Sequence, residues 1–231
     1  KEIDLAMIPI ENTIAGRVSD IHRLMPTSNV NIIGETFLKI NHCLMSLKES
    51  SLKDIKIVRS HEMALSQCRN SIVNLGLEPV VSADTAGSAR EVSDLKDISI
   101  AAIASPLAAE IYDLKILKED MEDAGHNTTR FLILCKDKII PDNNDGQFIT
   151  TLVFKVKNVP SALYKALGGF ATNGVNMLKL ESYQVDGSFQ STQFYTDLEG
   201  HIDSEEIKSA IDELKYYSEE IKILGVYPSS R

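Results

Sequence analysis

The stretch "IKIVRSHEMALSQCRNSIVNLG", residues 55–76, decides the class of the fold. Its opening residues include Ile55, Ile57 and Val58, the β-branched composition of a short strand. From His61 the period changes. Ala64, Leu65, Cys68, Ile72 and Leu75 fall on one helical face and Gly76 supplies a stop, which predicts a helix over 61–76. The alternation continues outward: Leu5 to Ile8 reads as strand, "PVVSA" (79–83) as strand, and Thr85 to Leu95 as a helix begun by a Thr/Asp cap. "ISIAAIAS" (98–105) then reads as a buried strand and Pro106 to Tyr112 as a short helix. Strand and helix in turn predict a mostly parallel sheet.

"KDKIIPDNNDGQ" (136–147) mixes charge, Pro, Asn and Gly and reads as a linker. After it the order changes. "FITTLVFKVK" is a strand, and "PSALYKALGGFATNG" a helix with Pro in its first turn and a stop at Gly174. "VNMLKLESYQV" and "SFQSTQFYTDL" are two strands joined through Asp186-Gly187. Asp203 with Glu206 opens a second helix striped by Ile207, Ile211 and Leu214, and "IKILGVYP" closes as a strand. The order βαββαβ is ferredoxin-like, and a domain of that size is expected to dimerise.

The 231 residues carry a formal charge of −9 with no basic cluster, which argues against a nucleic-acid partner. The longest apolar run is too short to cross a bilayer, so no membrane partner is expected. Cys43, Cys68 and Cys135 are odd in number, widely spaced and set in apolar surroundings, as reduced core thiols are. Lys1 is followed at once by Glu2 and Asp4, unlike a signal peptide, and a cytoplasmic location is expected. A chain that enters a strand directly, without an initiator Met, reads as a fragment.

Open α/β sheets place ligands at the carboxyl ends of their strands. "PIENT" (9–13), Ser60-His61, Thr85 and "HNTTR" (126–130) have that placement. A guanidinium fork matches a carboxylate, so Arg130 beside hydroxyls suits an acidic small molecule, although an internal ion pair accounts for a lone arginine as well. His61 reads as a helix-start residue and His42 as buried beside Cys43.

"PIENTIAGRV", "GETFLKINHCL", "SHEMALSQC", "AAIASPLAAEIYDL" and "NTTRF", in that order, resemble prephenate dehydratase. "PSALYKALGGFATNGVNMLKLES" and "DLEGH" resemble the ACT regulatory domain that accompanies it. The resemblance implies a two-lobed, periplasmic-binding-protein-like α/β catalytic domain over 1–138, with most of its first lobe preceding Lys1. A ferredoxin-like βαββαβ ACT domain is implied over 148–227. It implies a lyase converting prephenate to phenylpyruvate, water and carbon dioxide, with arogenate dehydratase and a non-catalytic amino-acid-responsive binding protein as alternatives. Thr129 is implied at the leaving hydroxyl, Arg130 at a substrate carboxylate, and Asn12, Ser60 and Gln67 at other active-site positions, with Glu11 adjacent. No metal or organic cofactor is implied. Phenylalanine is implied as effector at a dimer interface, in a dimer or a tetramer, through Ser161, Ala162 and Leu163 on a helix start and Asn176, Glu181 and Ser182 on the next strand. Ser161 stands where the family commonly has Gly, and Tyr183-Gln184 where it has Arg-Pro.

Overall fold

A computed structural model describes residues 3–144, 146–184 and 192–231. In chain order the elements are β1 (Leu5–Asn12), β2 (Gly16–Arg17), α1 (Ser19–Leu24), a 3-10 turn (Met25–Thr27), β3 (Asn31–Lys39), β4 (Cys43–Ser46) and β5 (Ile57–Ser60). Next come α2 (Glu62–Gln67), α3 (Arg69–Asn74), β6 (Glu78–Val81), α4 (Thr85–Leu95), β7 (Ile100–Ala104), α5 (Pro106–Ile111), β8 (Lys115–Lys118) and β9 (Thr128–Cys135). The remainder are β10 (Phe148–Val156), α6 (Ala162–Thr172), β11 (Met177–Gln184), β12 (Thr192–Glu199), α7 (Glu205–Tyr217) and β13 (Ser218–Pro228). No helix among the described residues is long and apolar enough to cross a membrane.

The chain forms two compact units. One comprises Asn12–Gly16 and Leu38–Thr129, the other the chain up to Glu11, Arg17–Phe37 and Arg130–Arg231. These seams do not follow the linker expected near 136–147, because β1, β3 and β9 belong to the same eight-stranded sheet as β10 to β13.

The unit holding residues 38–129 has a five-stranded sheet in the order β6-β5-β7-β4-β8. Side chains alternate across its strands. Leu44, Ala101 and Ile103 face a core with Leu65, Cys68 and Ile72 of the α2–α3 region, while Cys43, Met45, Ala102 and Ala104 face a second with Ala89 and Val92 of α4 and Ala108 of α5. The expected mostly parallel sheet is corrected to a mixed one. β5 runs parallel to β6 and β7, but β4 is antiparallel to β7 and β8. The single helix expected over 61–76 is two. The Asp123 N–H takes the Gln67 carbonyl at 2.8 Å, and the Asp123 carboxylate accepts from the Asn70 N–H at 3.0 Å, so Cys68 leaves the helical geometry and a new helix is capped. His61 caps α2, its Nδ1 accepting from the Met63 N–H at 3.2 Å.

In the other unit the strand order is β11-β12-β10-β13-β3-β9-β1-β2. Leu152 and Phe154 of β10 pack with Phe170 of α6 and Ile207, Ile211 and Leu214 of α7, whereas Ile149 and Val153 pack with Ile10, Ile32, Leu132 and Tyr227. β13 meets β3 at Gly225 beside Ile32, where an added Cβ would lie 2.1 Å from the Ile32 carbonyl oxygen, so only glycine permits that approach. The cap of α7 is Ser204, one residue after the expected Asp203; its Oγ accepts from the Ile207 N–H at 3.3 Å. The expected turn at Asp186-Gly187 lies outside the described residues. Cys43 and Cys68 are buried thiols, Cys135 is half-buried, and none is paired.

α6 begins at Ala162, after Pro160 rather than with it, and its N-cap Ser161 has φ 66°, ψ 10° without a side-chain cap. This left-handed conformation is costly for a residue with a Cβ, by roughly 1–2 kcal/mol. Ser161→Gly is expected to stabilise the fold by about 1 kcal/mol. A thermal or urea midpoint that does not rise would show that no strain resides there.

Candidate active site

Asn12 ends β1 and Thr129 lies at the start of β9, and a short polar chain connects them. Asn12 Oδ1 accepts from the backbone N–H groups of Ile14 and Ala15 at 2.9 and 2.8 Å, in a turn that Gly16 completes at φ 79°. Asn12 Nδ2 then donates to Asn127 Oδ1 at 2.8 Å and to Thr129 Oγ1 at 2.9 Å. Asn127 is fully buried and passes its own Nδ2 hydrogen to Gln67 Oε1 at 2.9 Å. His42 Nε2 meets the same oxygen at 3.0 Å. Asn12, Gln67 and Thr129 are thereby brought together in one unit.

Asn127 and His42 join them unforeseen. Asn127 stood inside the "HNTTR" stretch but carried no signal beyond polarity. His42 was placed in the interior, and it is 6% exposed, but its contact to Gln67 spans 25 residues and leaves no local trace. Ser60 does not join. It is wholly buried and donates to the Ile103 carbonyl at 2.6 Å, tying β5 to β7.

The expectation that Arg130 holds a substrate carboxylate is corrected. Its side chain is 2% exposed in the other unit, and its fork is filled by the chain's own groups. Nε donates to Glu35 at 2.7 Å, Nη1 to Asp197 at 2.6 Å and Glu11 at 3.0 Å, and Nη2 to Tyr227 Oη at 3.1 Å. Thr151 donates to the remaining Asp197 oxygen at 2.7 Å. Burial opposes the charge on Arg130, yet the adjacent Asp197 carboxylate keeps the guanidinium firmly protonated. Glu11 is the half-buried member of the group. Burial works to raise its carboxyl, but the Lys179 ammonium and then Arg130 outweigh it and hold the pKa below the ordinary 4.5.

Of the residues expected to bind an effector, Ser161, Ala162 and Leu163 line a cleft of about 270 Å³ with Val156, Tyr164 and Phe194. Asn176, Glu181 and Ser182 do not line it. Asn176 donates to Glu199 at 2.8 Å, Glu181 pairs with Arg17 at 3.0 Å, and the Ser182 carbonyl accepts from Arg17 at 3.1 Å.

Arg130→Met would leave Glu35 and Asp197 buried without their counter-charge. A loss of about 3–5 kcal/mol in unfolding free energy is expected. A denaturation midpoint near that of the unaltered chain would show the guanidinium to be dispensable for the fold.

The family model described as prephenate dehydratase matches residues 1–139. A bifunctional N-acyl-homoserine lactone acylase/prephenate dehydratase from Komagataeibacter europaeus is 49% identical, over 98% of this chain and 81% of that protein. Arogenate dehydratase/prephenate dehydratase 1 from Arabidopsis thaliana is 38% identical over 98% of the chain, which spans only 61% of the plant protein's length. Among solved structures, a prephenate dehydratase from Arthrobacter aurescens in complex with L-Phe superposes with a TM-score of 0.89 at 30% identity, covering 99% of this chain and 76% of that one. With more than half its length matched by the family model and a relative at this level of identity, the chain belongs to the prephenate dehydratase family.

Proposed function

We propose that the chain is a lyase that converts prephenate to phenylpyruvate, water and carbon dioxide in phenylalanine biosynthesis. The observation that carries this reading is the hydrogen bond from Asn12 Nδ2 to Thr129 Oγ1 at 2.9 Å. It engages a lone pair of the hydroxyl and leaves the hydroxyl's own hydrogen free for a substrate. In the reaction the bond from ring to carboxylate breaks and releases carbon dioxide, its electron pair enters the ring, and the ring hydroxyl departs as hydroxide, which takes a proton from solvent to become water. Negative charge grows on that departing oxygen. A threonine hydroxyl is a poor acid, so Thr129 acts by donating a fixed hydrogen bond to the developing charge. Arogenate, which carries an amino group where prephenate has a keto group, is the alternative substrate, and the Arabidopsis relative is named for both.

In the same proposal residues 1–138 are the two-lobed catalytic domain and 148–227 an ACT regulatory domain. Support for the second comes from the order β10-α6-β11-β12-α7-β13, with sheet order β11-β12-β10-β13, and from the cleft at the start of α6. Phenylalanine is the proposed effector, since L-Phe is bound in the Arthrobacter structure. It would occupy the cleft at Ser161, Ala162 and Leu163, completed by a second copy of the chain. The unpaired thiols suit a reducing, cytoplasmic compartment.

The purified chain should form phenylpyruvate from prephenate, followed by its ultraviolet absorbance. Thr129→Ala should lower kcat by about 10²–10³ with little change in KM, because the donor acts on charge that develops only in the transition state. Absence of product from both prephenate and arogenate would overturn the reading. Calorimetry should register phenylalanine binding at millimolar ligand. An active preparation that gives no heat would reduce the 148–227 segment to a dimerisation device.

A further inference from the structure

We infer that His42 and Asn127 are positioning residues that set which end of the Gln67 amide faces the substrate. The inference rests on the dehydratase reading for its kinetics, but not for its geometry. The polarity of the chain follows from its first link. Only an oxygen can accept from two backbone N–H groups, so the Asn12 atom facing Ile14 and Ala15 is Oδ1 and the opposite atom is Nδ2. Nδ2 can only donate, so the Asn127 atom 2.8 Å away is Oδ1. Asn127 must therefore present Nδ2 to Gln67, which answers with Oε1 at 2.9 Å. That same oxygen lies 3.0 Å from His42 Nε2, so Nε2 carries a hydrogen.

Two donors thus converge on Gln67 Oε1. The amide cannot turn over without setting two N–H groups against its own NH2. Gln67 Nε2 has no hydrogen-bond partner among the described residues, so the face left for a ligand is a donor. A dianionic substrate with a ring hydroxyl needs a donor there, and a carbonyl oxygen would repel its carboxylates. His42 is 6% exposed and Asn127 fully buried, so neither reaches a ligand itself; each acts through Gln67.

Two measurements decide this. Nitrogen-15 NMR of the imidazole in the intact chain at alkaline pH should find His42 as the Nε2–H tautomer. The Nδ1–H tautomer would break the chain of donors and overturn the inference, whether or not the protein turns over prephenate. The kinetic arm compares His42→Met, which removes the donor, with His42→Gln, which returns an N–H. His42→Met should lower kcat/KM about tenfold, chiefly through KM because Gln67 binds rather than reacts, and His42→Gln should recover most of the loss. Two equally active variants would mean that the donor positions nothing, and two equally impaired ones that His42 only fills space. A wild-type chain inactive on both prephenate and arogenate would count against the proposed reaction, while the tautomer still decides the geometry.

Discussion

The Arg130 guanidinium is a charge that cannot be discharged and that water does not reach, and the strands around it are arranged to satisfy it. Moving such an ion out of water costs several kcal/mol, and one carboxylate at about 4 Å returns about 4 kcal/mol at the effective dielectric of a protein. A single partner therefore leaves little or no surplus. Glu35 from β3 and Asp197 from β12 are themselves wholly buried, Glu11 from β1 adds a third carboxylate, and Lys179 and Arg231 supply cations around the rim. The cluster ties β1, β3, β9, β12 and β13 into one unit through contacts none of those strands could satisfy alone.

The same strands also carry the candidate site. Successive residues in a strand project to opposite sides. Glu11 and Asn12 in β1, and Thr129 and Arg130 in β9, are two such pairs. In each pair one side chain enters the buried ion cluster and its neighbour enters the group of amides and hydroxyl. The motifs "EN" and "TR" thus divide between the buried ion cluster and the proposed site at a single peptide bond. Arg130 is a residue of the fold, and Thr129 beside it is the residue proposed for catalysis.

This division also explains what the sequence disclosed. Helices and strands were legible because their periods are local: α4, β7 and β10 lie where the apolar pattern puts them. The break at Cys68 was not, since Asp123, more than 50 residues on, causes it. Nor was the antiparallel setting of β4, which depends on its partners β7 and β8 rather than on its four residues. For Arg130 the immediate neighbours pointed to a ligand, while the groups that claim it lie 67 residues away at Asp197, 95 at Glu35 and 97 at Tyr227. Local reading favours the nearest plausible partner, and a buried charge takes the one that compensates it best.

The amide chain behaves in the opposite way, because its long-range order starts from a local feature. An asparagine whose oxygen caps two following backbone N–H groups is a short-range motif, visible in "ENTIAG" with its glycine at positive φ. Once that oxygen is fixed, each later amide has a single orientation that avoids facing donor to donor or acceptor to acceptor. A turn of a few residues therefore determines the hydrogen of an imidazole at position 42 and the donor face of Gln67, although these lie 30 and 55 residues further along the chain. A row of neutral amides suits this work better than ionised groups would. It presents directed hydrogen-bond donors without introducing another buried charge of the kind that Arg130 needs three carboxylates to balance.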